Sequence, residues 1–257
     1  MKKVLTDFHV HVIAHGEYRY SQEWLQQYIE KALEKNVGVI GFVDHDEYIG
    51  QMDFALVKKL AENYNNIQIR HGLEVDYIPG RDDAIKRLVA GNDFDFIIGS
   101  VHFIEKWAFD HPDYHHIFQT QDLMDIYVKY YRLVEEAALS GWFDIIGHLD
   151  LVKIWGCKLR PEQNLKLVEQ VLQSVKKAGA VIEINSGGLR KPVQEIYPSF
   201  DIIQRMYELN IPICLSSDAH QPDHTGYEVE KAGQLAKKAG YRYLTVFFRR
   251  TKSYVPF

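Results

Sequence analysis

The chain has 257 residues, of which 46% are hydrophobic and 25% are charged, and a chain of this length and composition can bury a sizeable globular core. Its formal net charge of -5 argues against the basic surface with which proteins hold nucleic acid. Because no segment approaches the roughly 20 apolar residues that cross a bilayer, no signal peptide is evident and the two cysteines are isolated, we expect a cytoplasmic protein without a nucleic-acid or membrane partner.

Short apolar runs alternate with amphipathic stretches along the whole chain. The apolar runs predict buried strands at residues 4–6, 37–43, 67–75, 94–101, 143–147, 180–184, 211–215 and 241–248. The stretches with helical spacing predict helices at residues 22–35, 53–63, 82–89, 121–139, 161–178, 200–209 and 227–239. Segment 107–120, which is aromatic and rich in histidine, is expected to form a long loop.

This repeated βα order predicts a parallel sheet with helices around it. Seven or eight repeats within about 250 residues favour a closed, TIM-like α/β barrel that folds as a single domain over residues 1–257. An open, doubly wound sheet is the alternative, but no Gly-x-Gly-x-x-Gly turn follows the first strand as it does in dinucleotide-binding sheets. The pattern gives no indication of the oligomeric state.

The carboxyl ends of the predicted strands carry histidine and acidic residues, which are the usual ligands of Zn, Mn and Fe. These residues are Asp7, His9 and His11; Asp44, His45 and Asp46; Glu74 and Asp76; His102; His148 and Asp150; Glu183; and Asp218 and His220. In a barrel all these ends meet on one face, so the side chains would converge. A rim of hydrogen-bonded charges is the alternative, but it does not explain why histidine recurs at strand ends. The pattern therefore predicts a metal site on this face.

Six segments resemble the polymerase-and-histidinol-phosphatase (PHP) superfamily, in the order in which that family carries them. They are DFHVH at 7–11, DHD at 44–46, GLEVDY at 72–77, GSVHF at 99–103, IGHLD at 146–150 and SSDAH at 216–220. Two more, WAFD at 107–110 and INSGGLRKPVQEIYPS at 184–199, resemble the histidinol-phosphatase branch. The resemblance implies a distorted (β/α)7 barrel with three metal ions, whose identity as Zn, Mn or Fe stays open.

The resemblance also implies how the ligands are shared among the ions. The first ion would be held by His9, His11 and Asp218, and Glu74 would bridge it to the second. The second ion would be completed by His102 and His148. The third would be held by His45, His220 and His15, with Glu17 as the alternative to His15.

Several residues are candidates for contact with an anionic substrate. Metal ions neutralise the oxygens of a phosphate monoester and lower the pKa of bound water. Glu74, as the bridging carboxylate, and Arg190, as a bidentate phosphate clamp, are the candidate catalytic groups. Arg160 is a second basic candidate and Ser217 a candidate hydrogen-bond donor, although a solvated or structural role is the alternative for each. Asp44 or a metal-bound water would supply the proton to the leaving oxygen.

Two further sets of residues have open assignments. Trp107 and Phe109 would either form an aromatic wall for an imidazole ring or pack the long loop. Asp7, Asp76 and Asp150 flank candidate ligands, and they would either orient the ligand histidines or cap helices and pair with lysines.

The resemblance implies a phosphatase that hydrolyses L-histidinol phosphate, a small-molecule monoester, to L-histidinol and phosphate in histidine biosynthesis. The alternatives are a PHP-type phosphoesterase acting on phosphotyrosine or a nucleotide, and a non-catalytic metal-binding barrel. Other catalytic motifs do not occur in the sequence, since there is no Gly-x-Ser-x-Gly elbow and no Gly-x-x-x-x-Gly-Lys-Ser/Thr loop.

Overall fold

A computed structural model describes residues 4–257. Its strands are, in chain order, β1 (Leu5–His11), β2 (Val37–Val43), β3 (Gln68–Asp76), β4 (Phe96–Ser100), β5 (Phe103–Ile104), β6 (Trp107–Ala108), β7 (Ile145–Ile146), β8 (Val181–Asn185), β9 (Ile213–Ser216), β10 (Tyr243–Phe248) and β11 (Thr251–Pro256). Seven of them pair in parallel in the order β1-β2-β3-β4-β7-β8-β9.

The first and last strands of this sheet, β1 and β9, meet along a seam. The hydroxyl of Thr6 donates to the carbonyl of Leu215 at 3.2 Å and accepts from its N–H at 2.9 Å. Beyond the end of β9, the carbonyl of Ala219 accepts a hydrogen bond from the N–H of His11 at 2.7 Å. The sheet is therefore nearly closed, and the predicted distorted (β/α)7 barrel is confirmed.

All seven predicted helices form and surround the sheet, with ends within two residues of those predicted. They are α1 (Gln22–Glu34), α2 (Phe54–Asn63), α3 (Asp82–Ala90), α4 (Leu123–Ser140), α5 (Pro161–Ala178), α6 (Phe200–Glu208) and α7 (Val229–Ala239). Local chemistry explains several ends. The carboxylates of Asp53 and Asp122 accept hydrogen bonds from first-turn N–H groups of α2 and α4. Gly141, in the left-handed conformation, ends α4.

Strand β1 contains one extra residue, because it advances three residues while the paired β2 advances two. Phe8 packs inside the barrel, edge-on to Phe96 and Phe247. The next residue, His9, also faces the interior, where its Nε2 lies 3.3 Å from Glu74. A regular strand would turn successive side chains to opposite faces. The bulge thus lets an apolar and a polar residue follow each other on the inner surface.

The amino-terminal half of the barrel interior is filled by aromatic rings. A Cβ at Gly41 or Gly72 would lie 2.6 or 2.7 Å from the ring of Phe96, so both neighbouring strands need glycine there. Phe247 packs against the same ring, with 6.2 Å between centroids. The polar side chains of the interior consequently lie in its carboxyl-terminal half.

The eighth predicted strand, residues 241–248, forms but does not join the barrel. It becomes β10, which pairs antiparallel with β11. This hairpin covers the amino-terminal end of the barrel, where Arg250 donates to the carboxylate of Asp144 at 2.7 Å and to the carbonyl of Trp142 at 2.8 Å. An apolar run does not reveal which strand it will pair with, and this explains the difference.

The predicted loop at 107–120 is partly ordered, with β6 at its start and a 3-10 helix, Pro112–Gln119, after it. Within residues 4–257, none of the helices combines the length and apolarity that crossing a membrane requires.

Candidate metal centre

The carboxyl ends of six barrel strands bring a set of histidine and acidic side chains together. The set consists of His9 and His11 from β1, His45 after β2, Glu74 from β3, His102 after β4, His148 after β7, and Asp218 and His220 after β9. His9, His11, Glu74 and His148 are almost completely buried. Residues separated by more than 200 positions thus meet as the barrel rule predicts.

Glu74 lies at the centre of this cluster. Its Oε2 is 3.3 Å from Nε2 of His9, 3.4 Å from Nε2 of His11 and 3.1 Å from Nδ1 of His45. The carboxylate of Asp218 approaches the same side, with its Oδ1 3.6 Å from Nε2 of His11. One oxygen of Glu74 therefore faces three imidazoles, and a second carboxylate, that of Asp218, approaches two of them, His9 and His11.

The other oxygen of Glu74 faces a second pair of imidazoles. Its Oε1 is 3.3 Å from Nε2 of His148 and 3.6 Å from Nε2 of His102, and these two nitrogens are 3.2 Å apart. Although burial by itself raises the pKa of Glu74, the surrounding imidazoles bring this pKa well below its ordinary value. Glu74 is therefore an anion between two groups of nitrogen donors, an arrangement that suits divalent metal binding.

Several donor atoms of the cluster are buried without a hydrogen-bond partner among residues 4–257. They are Nε2 of His9, both ring nitrogens of His11, Nδ1 of His148 and both oxygens of Glu74. Buried polar atoms without partners cost free energy, and a cation held by His9, His11 and Glu74 would remove that cost for the atoms directed at it. The cluster contains three groups of three residues, and within each group the possible ligand atoms lie within 4.8 Å of one another. A set of imidazoles with carboxylates suits a divalent metal ion.

The outer edge of the cluster is formed by His220 and His15. The ring of His220 stacks on His11 at 4.3 Å and on His15 at 4.7 Å between centroids. His15 is 64% exposed, whereas the nearby carboxylate of Glu17 accepts from the N–H of His15 at 2.6 Å. His15 therefore presents its ring to the cluster more directly than Glu17 presents its carboxylate.

Glu183, in β8, orients two residues of the cluster and had no role assigned from the sequence. Its carboxylate lies 3.1 Å from Nδ1 of His9, and it accepts from the N–H of His148 at 2.7 Å. Asn185 donates to the same carboxylate at 2.9 Å. The contact at Nδ1 leaves Nε2 of His9 directed at Glu74, as metal-binding histidines require.

Among the three flanking aspartates, Asp76 is the one that contacts a histidine of the cluster. Its carboxylate bonds to Nδ1 of His102, whose Nε2 faces Glu74. Asp7 instead accepts from the N–H groups of Ser217 and Gly226. Asp150 pairs with Lys153 at 2.9 Å and accepts from the N–H of Ser199. Asp7 and Asp150 therefore hold loops in place.

Asp44 does not occupy the position expected of a proton donor. Its side chain is fully buried and accepts from the N–H groups of Val12 and Ile13 at 3.0 and 2.8 Å and from the hydroxyl of Tyr20 at 2.9 Å. Burial raises the pKa of Asp44 to about 7. Because both oxygens are engaged behind the cluster, Asp44 supports the turn after β1, and its assignment to the leaving oxygen is not supported.

Arg190 lies beside the cluster, in a short 3-10 helix after β8. Its Nη2 donates to the carbonyls of Ser217 and Asp218, both at 2.8 Å, and the guanidinium lies 5.2 Å from the ring centroid of Tyr227. Asp218 has a φ of 54°, a strained conformation that these bonds help to hold. Nη1 of Arg190 is buried and has no partner within the part of the chain that the structure describes.

Two of the expected substrate contacts, Ser217 and Arg160, bond to other side chains of the protein. The hydroxyl of Ser217 is buried and donates to Asp7 at 2.6 Å, so it is committed to fixing the turn after β9. Arg160 is exposed at the start of α5, where its Nε donates to Gln163 at 3.1 Å. Position near a strand end was therefore an insufficient criterion, since it does not determine the direction of a side chain.

Trp107 packs inside the segment that follows β4. Its ring is edge-on to Phe118 at 4.9 Å and to Phe109 at 6.2 Å between centroids, and Phe109 is fully buried. These contacts correspond to the packing alternative for Trp107 and Phe109. Among residues 4–257, the aromatic ring contacts of Trp107 are with these two phenylalanines and with no histidine of the cluster.

An α/β barrel with a buried histidine and carboxylate cluster at the carboxyl ends of its strands defines the class of metal-dependent barrel hydrolases. Comparison with known sequences identifies the family within this class. Residues 7–187 match the PHP domain. The chain belongs to the PHP domain family, as its sequence motifs indicated.

Relatives and solved structures agree with this membership. A probable histidinol-phosphatase of Deinococcus radiodurans is 34% identical, over 96% of this chain and 98% of that protein. The histidinol-phosphatase of Bacillus subtilis is 28% identical, over 87% of this chain and 96% of that protein. The fold is similar to that of the Lactococcus lactis histidinol phosphate phosphatase solved with Zn, L-histidinol and phosphate, with a TM-score of 0.84, 21% identity, and coverage of 98% of this chain and all (100%) of that one.

Proposed function

We propose that this protein is a metal-dependent phosphomonoesterase that hydrolyses L-histidinol phosphate to L-histidinol and phosphate, a step of histidine biosynthesis. The observation that carries the proposal is the position of Glu74, a buried anion whose two oxygens face two separate groups of imidazoles. Relatives named for this activity match nearly the whole chain, and they support the choice of substrate.

The cluster would hold three ions. The first would be bound by His9, His11 and Asp218 with one oxygen of Glu74, and the second by His102 and His148 with its other oxygen. The third would lie among His45, His220 and His15, towards the outer edge. Zn, Mn and Fe all accept this ligand set. The Lactococcus lactis phosphatase of similar fold was solved with Zn, and this supports a divalent ion.

Bound metal ions supply charge neutralisation for the phosphate and a water of lowered pKa. The chain itself supplies order and charge around them. Glu183 and Asp76 fix the rings of His9 and His102. Arg190 holds the turn that carries Asp218, and its unpartnered Nη1 is the group that we assign to a phosphate oxygen. A buried guanidinium gains most from an anionic partner, and this supports a substrate that carries a phosphate group.

The proposal is tested by phosphate release from the purified protein. The panel contains L-histidinol phosphate, a phosphotyrosine peptide, a nucleoside monophosphate and an oligonucleotide. Each is assayed after chelation and again after addition of Mn²⁺ or Zn²⁺. We expect a strong preference for L-histidinol phosphate, loss of turnover on chelation, and recovery with one of the two ions.

Two results would contradict the proposal in different ways. Faster turnover of another substrate would remove the assignment to histidinol phosphate while leaving the metal centre in place. Turnover that chelation does not affect would remove both.

A further inference from the structure

Arg81 lies outside the cluster, immediately before α3, and connects the segments that follow β2 and β3. Its Nη2 pairs with the carboxylate of Asp46, and its Nη1 donates to the carbonyl of Asp76 at 3.0 Å. The N–H of Asp76 in turn donates to the carboxylate of Asp46 at 3.3 Å. One guanidinium thus closes a ring of contacts around the two aspartates.

Each aspartate of this ring adjoins a histidine of the metal centre. Asp46 directly follows His45, whose Nδ1 is 3.1 Å from Glu74. Asp76 bonds through its carboxylate to Nδ1 of His102. A displacement of Arg81 would therefore change the position of the backbone next to one histidine and the ring orientation of the other.

The charges show why an arginine is required at this position. Asp46 is buried, with 9% of its side chain exposed, and it lies against the backbone of Asp76, a second acidic residue. Without a cation the charge of Asp46 would be buried without an oppositely charged partner. Lysine would carry the charge, but its single ammonium group is a poorer match to two acceptors held apart than a planar guanidinium fork.

We infer that Arg81 is a positioning residue for the metal centre, and that it acts on His45 and His102 through Asp46 and Asp76. This inference rests on the proposed metal centre. It assigns to Arg81 an effect on metal affinity rather than contact with the substrate. Outer partners of ligand histidines typically change metal affinity or activity by about 10- to 100-fold when they are removed.

The test compares Arg81→Met with Arg87→Met, which removes an exposed arginine of α3 that lines the same cleft. Zinc-loaded protein is dialysed against graded concentrations of chelator, and the retained zinc is measured by elemental analysis. We expect the chelator concentration that removes half of the zinc to fall about 10-fold for Arg81→Met and to stay unchanged for Arg87→Met. Arg81→Lys should fall between Arg81→Met and the parent.

Thermal unfolding of the metal-free and zinc-loaded forms separates positioning from a purely structural role. The inference would be overturned if Arg81→Met lowered the unfolding temperature equally in both forms and left unchanged the chelator concentration that removes half of the zinc. Should that variant fail to fold, Asp46→Asn, which removes the charge that Arg81 neutralises, must lower zinc retention for the inference to stand. A parent protein that retains no zinc or manganese would instead overturn the metal centre itself.

Discussion

Substitution of Glu183 by glutamine tests how the ring of His9 is oriented in the proposed metal centre, and it changes the shape of the side chain very little. In the parent, the carboxylate lies 3.1 Å from Nδ1 of His9 and accepts from the N–H of His148 at 2.7 Å and from Asn185 at 2.9 Å. The amide oxygen of glutamine can still accept from His148 and Asn185. Its NH₂ group then faces Nδ1 of His9.

This exchange favours the other tautomer of His9, because Nδ1 of His9 lies 3.2 and 3.1 Å from the two carboxylate oxygens and one of them becomes an NH₂ donor. When Nδ1 accepts from this NH₂ group, the ring proton lies on Nε2, the atom that faces Glu74. A protonated Nε2 cannot bind a metal ion. Loss of an orienting carboxylate of this kind typically costs about 10- to 100-fold in metal affinity or activity, and we expect an effect of that size in both. The fold should persist, since the volume and two of the three contacts are kept.

Retained zinc after dialysis against a chelator and phosphate release from L-histidinol phosphate are the two measurements. Glu169→Gln is the matched control, because Glu169 is paired with Arg205 on the surface, and exposed pairs of this kind contribute at most about 1 kcal/mol. The reasoning would be refuted by a Glu183→Gln protein that retains zinc and turns over substrate as the parent does. A variant that unfolds would refute the expectation that the substitution is conservative.

Three more substitutions probe other parts of the molecule. Glu74→Gln offers one acceptor oxygen where two are needed, so phosphate release should fall about 100-fold while the circular dichroism spectrum is unchanged; activity near the parent level would exclude a bridging role. Arg250→Met removes the guanidinium that pairs with Asp144 at the amino-terminal end of the barrel. The free energy of unfolding, measured in urea, should fall by about 2 kcal/mol, and kcat should not change. An unchanged free energy of unfolding would show that the hairpin is held by its apolar contacts. Gly147→Ala places a methyl group against the side chains of β4, 3.0 Å from Ile98, and this overpacking next to His148 should lower the free energy of unfolding by about 1–3 kcal/mol. Gly50→Ala is the control, because its added methyl group meets nothing within 4 Å. Equal stability of the two proteins would contradict the steric argument.

The barrel and the composition of its polar face could be predicted from the sequence because both depend on periodicity. Strands follow helices at regular spacing, and parallel strand ends must meet on one face. Metal-binding residue types recur at those ends, so the cluster around Glu74 follows from the spacing of His9, His11, His102 and His148. The proposed division of the ligands among three ions came from family resemblance.

The direction of individual side chains was harder to predict, although alternation along the strands contains part of the answer. In β2, Val39 and Val43 face the barrel interior, so His45 continues that face and Asp44 points away from it. In β8, Val181 faces the interior and Glu183 follows two residues later on the same face. The same alternation of side chains along the strands predicts that Glu183 faces the cluster and that Asp44 does not.

Residues in irregular segments could not be placed in this way. Arg160 follows β7 through a loop whose path depends on tertiary packing, and Trp107 lies in β6, a strand of two residues that is too short to show a periodicity. Ser217 is one residue beyond β9, where the chain turns and its hydroxyl meets Asp7 from β1. Contacts between the first and last barrel strands join residues 210 positions apart, and local sequence carries no information about them.

The seam between β1 and β9 has a consequence for how the protein is made. A nascent chain that has emerged as far as β7 already carries His9, His11, Glu74 and the imidazoles after β4 and β7. It lacks Asp218 and His220, and its Thr6 still lacks the backbone groups of Leu215 that complete the seam. The proposed ligand set is therefore complete only once the last barrel strand has left the ribosome and docked on the first. Complete loading of the proposed metal centre would therefore be coupled to closure of the barrel.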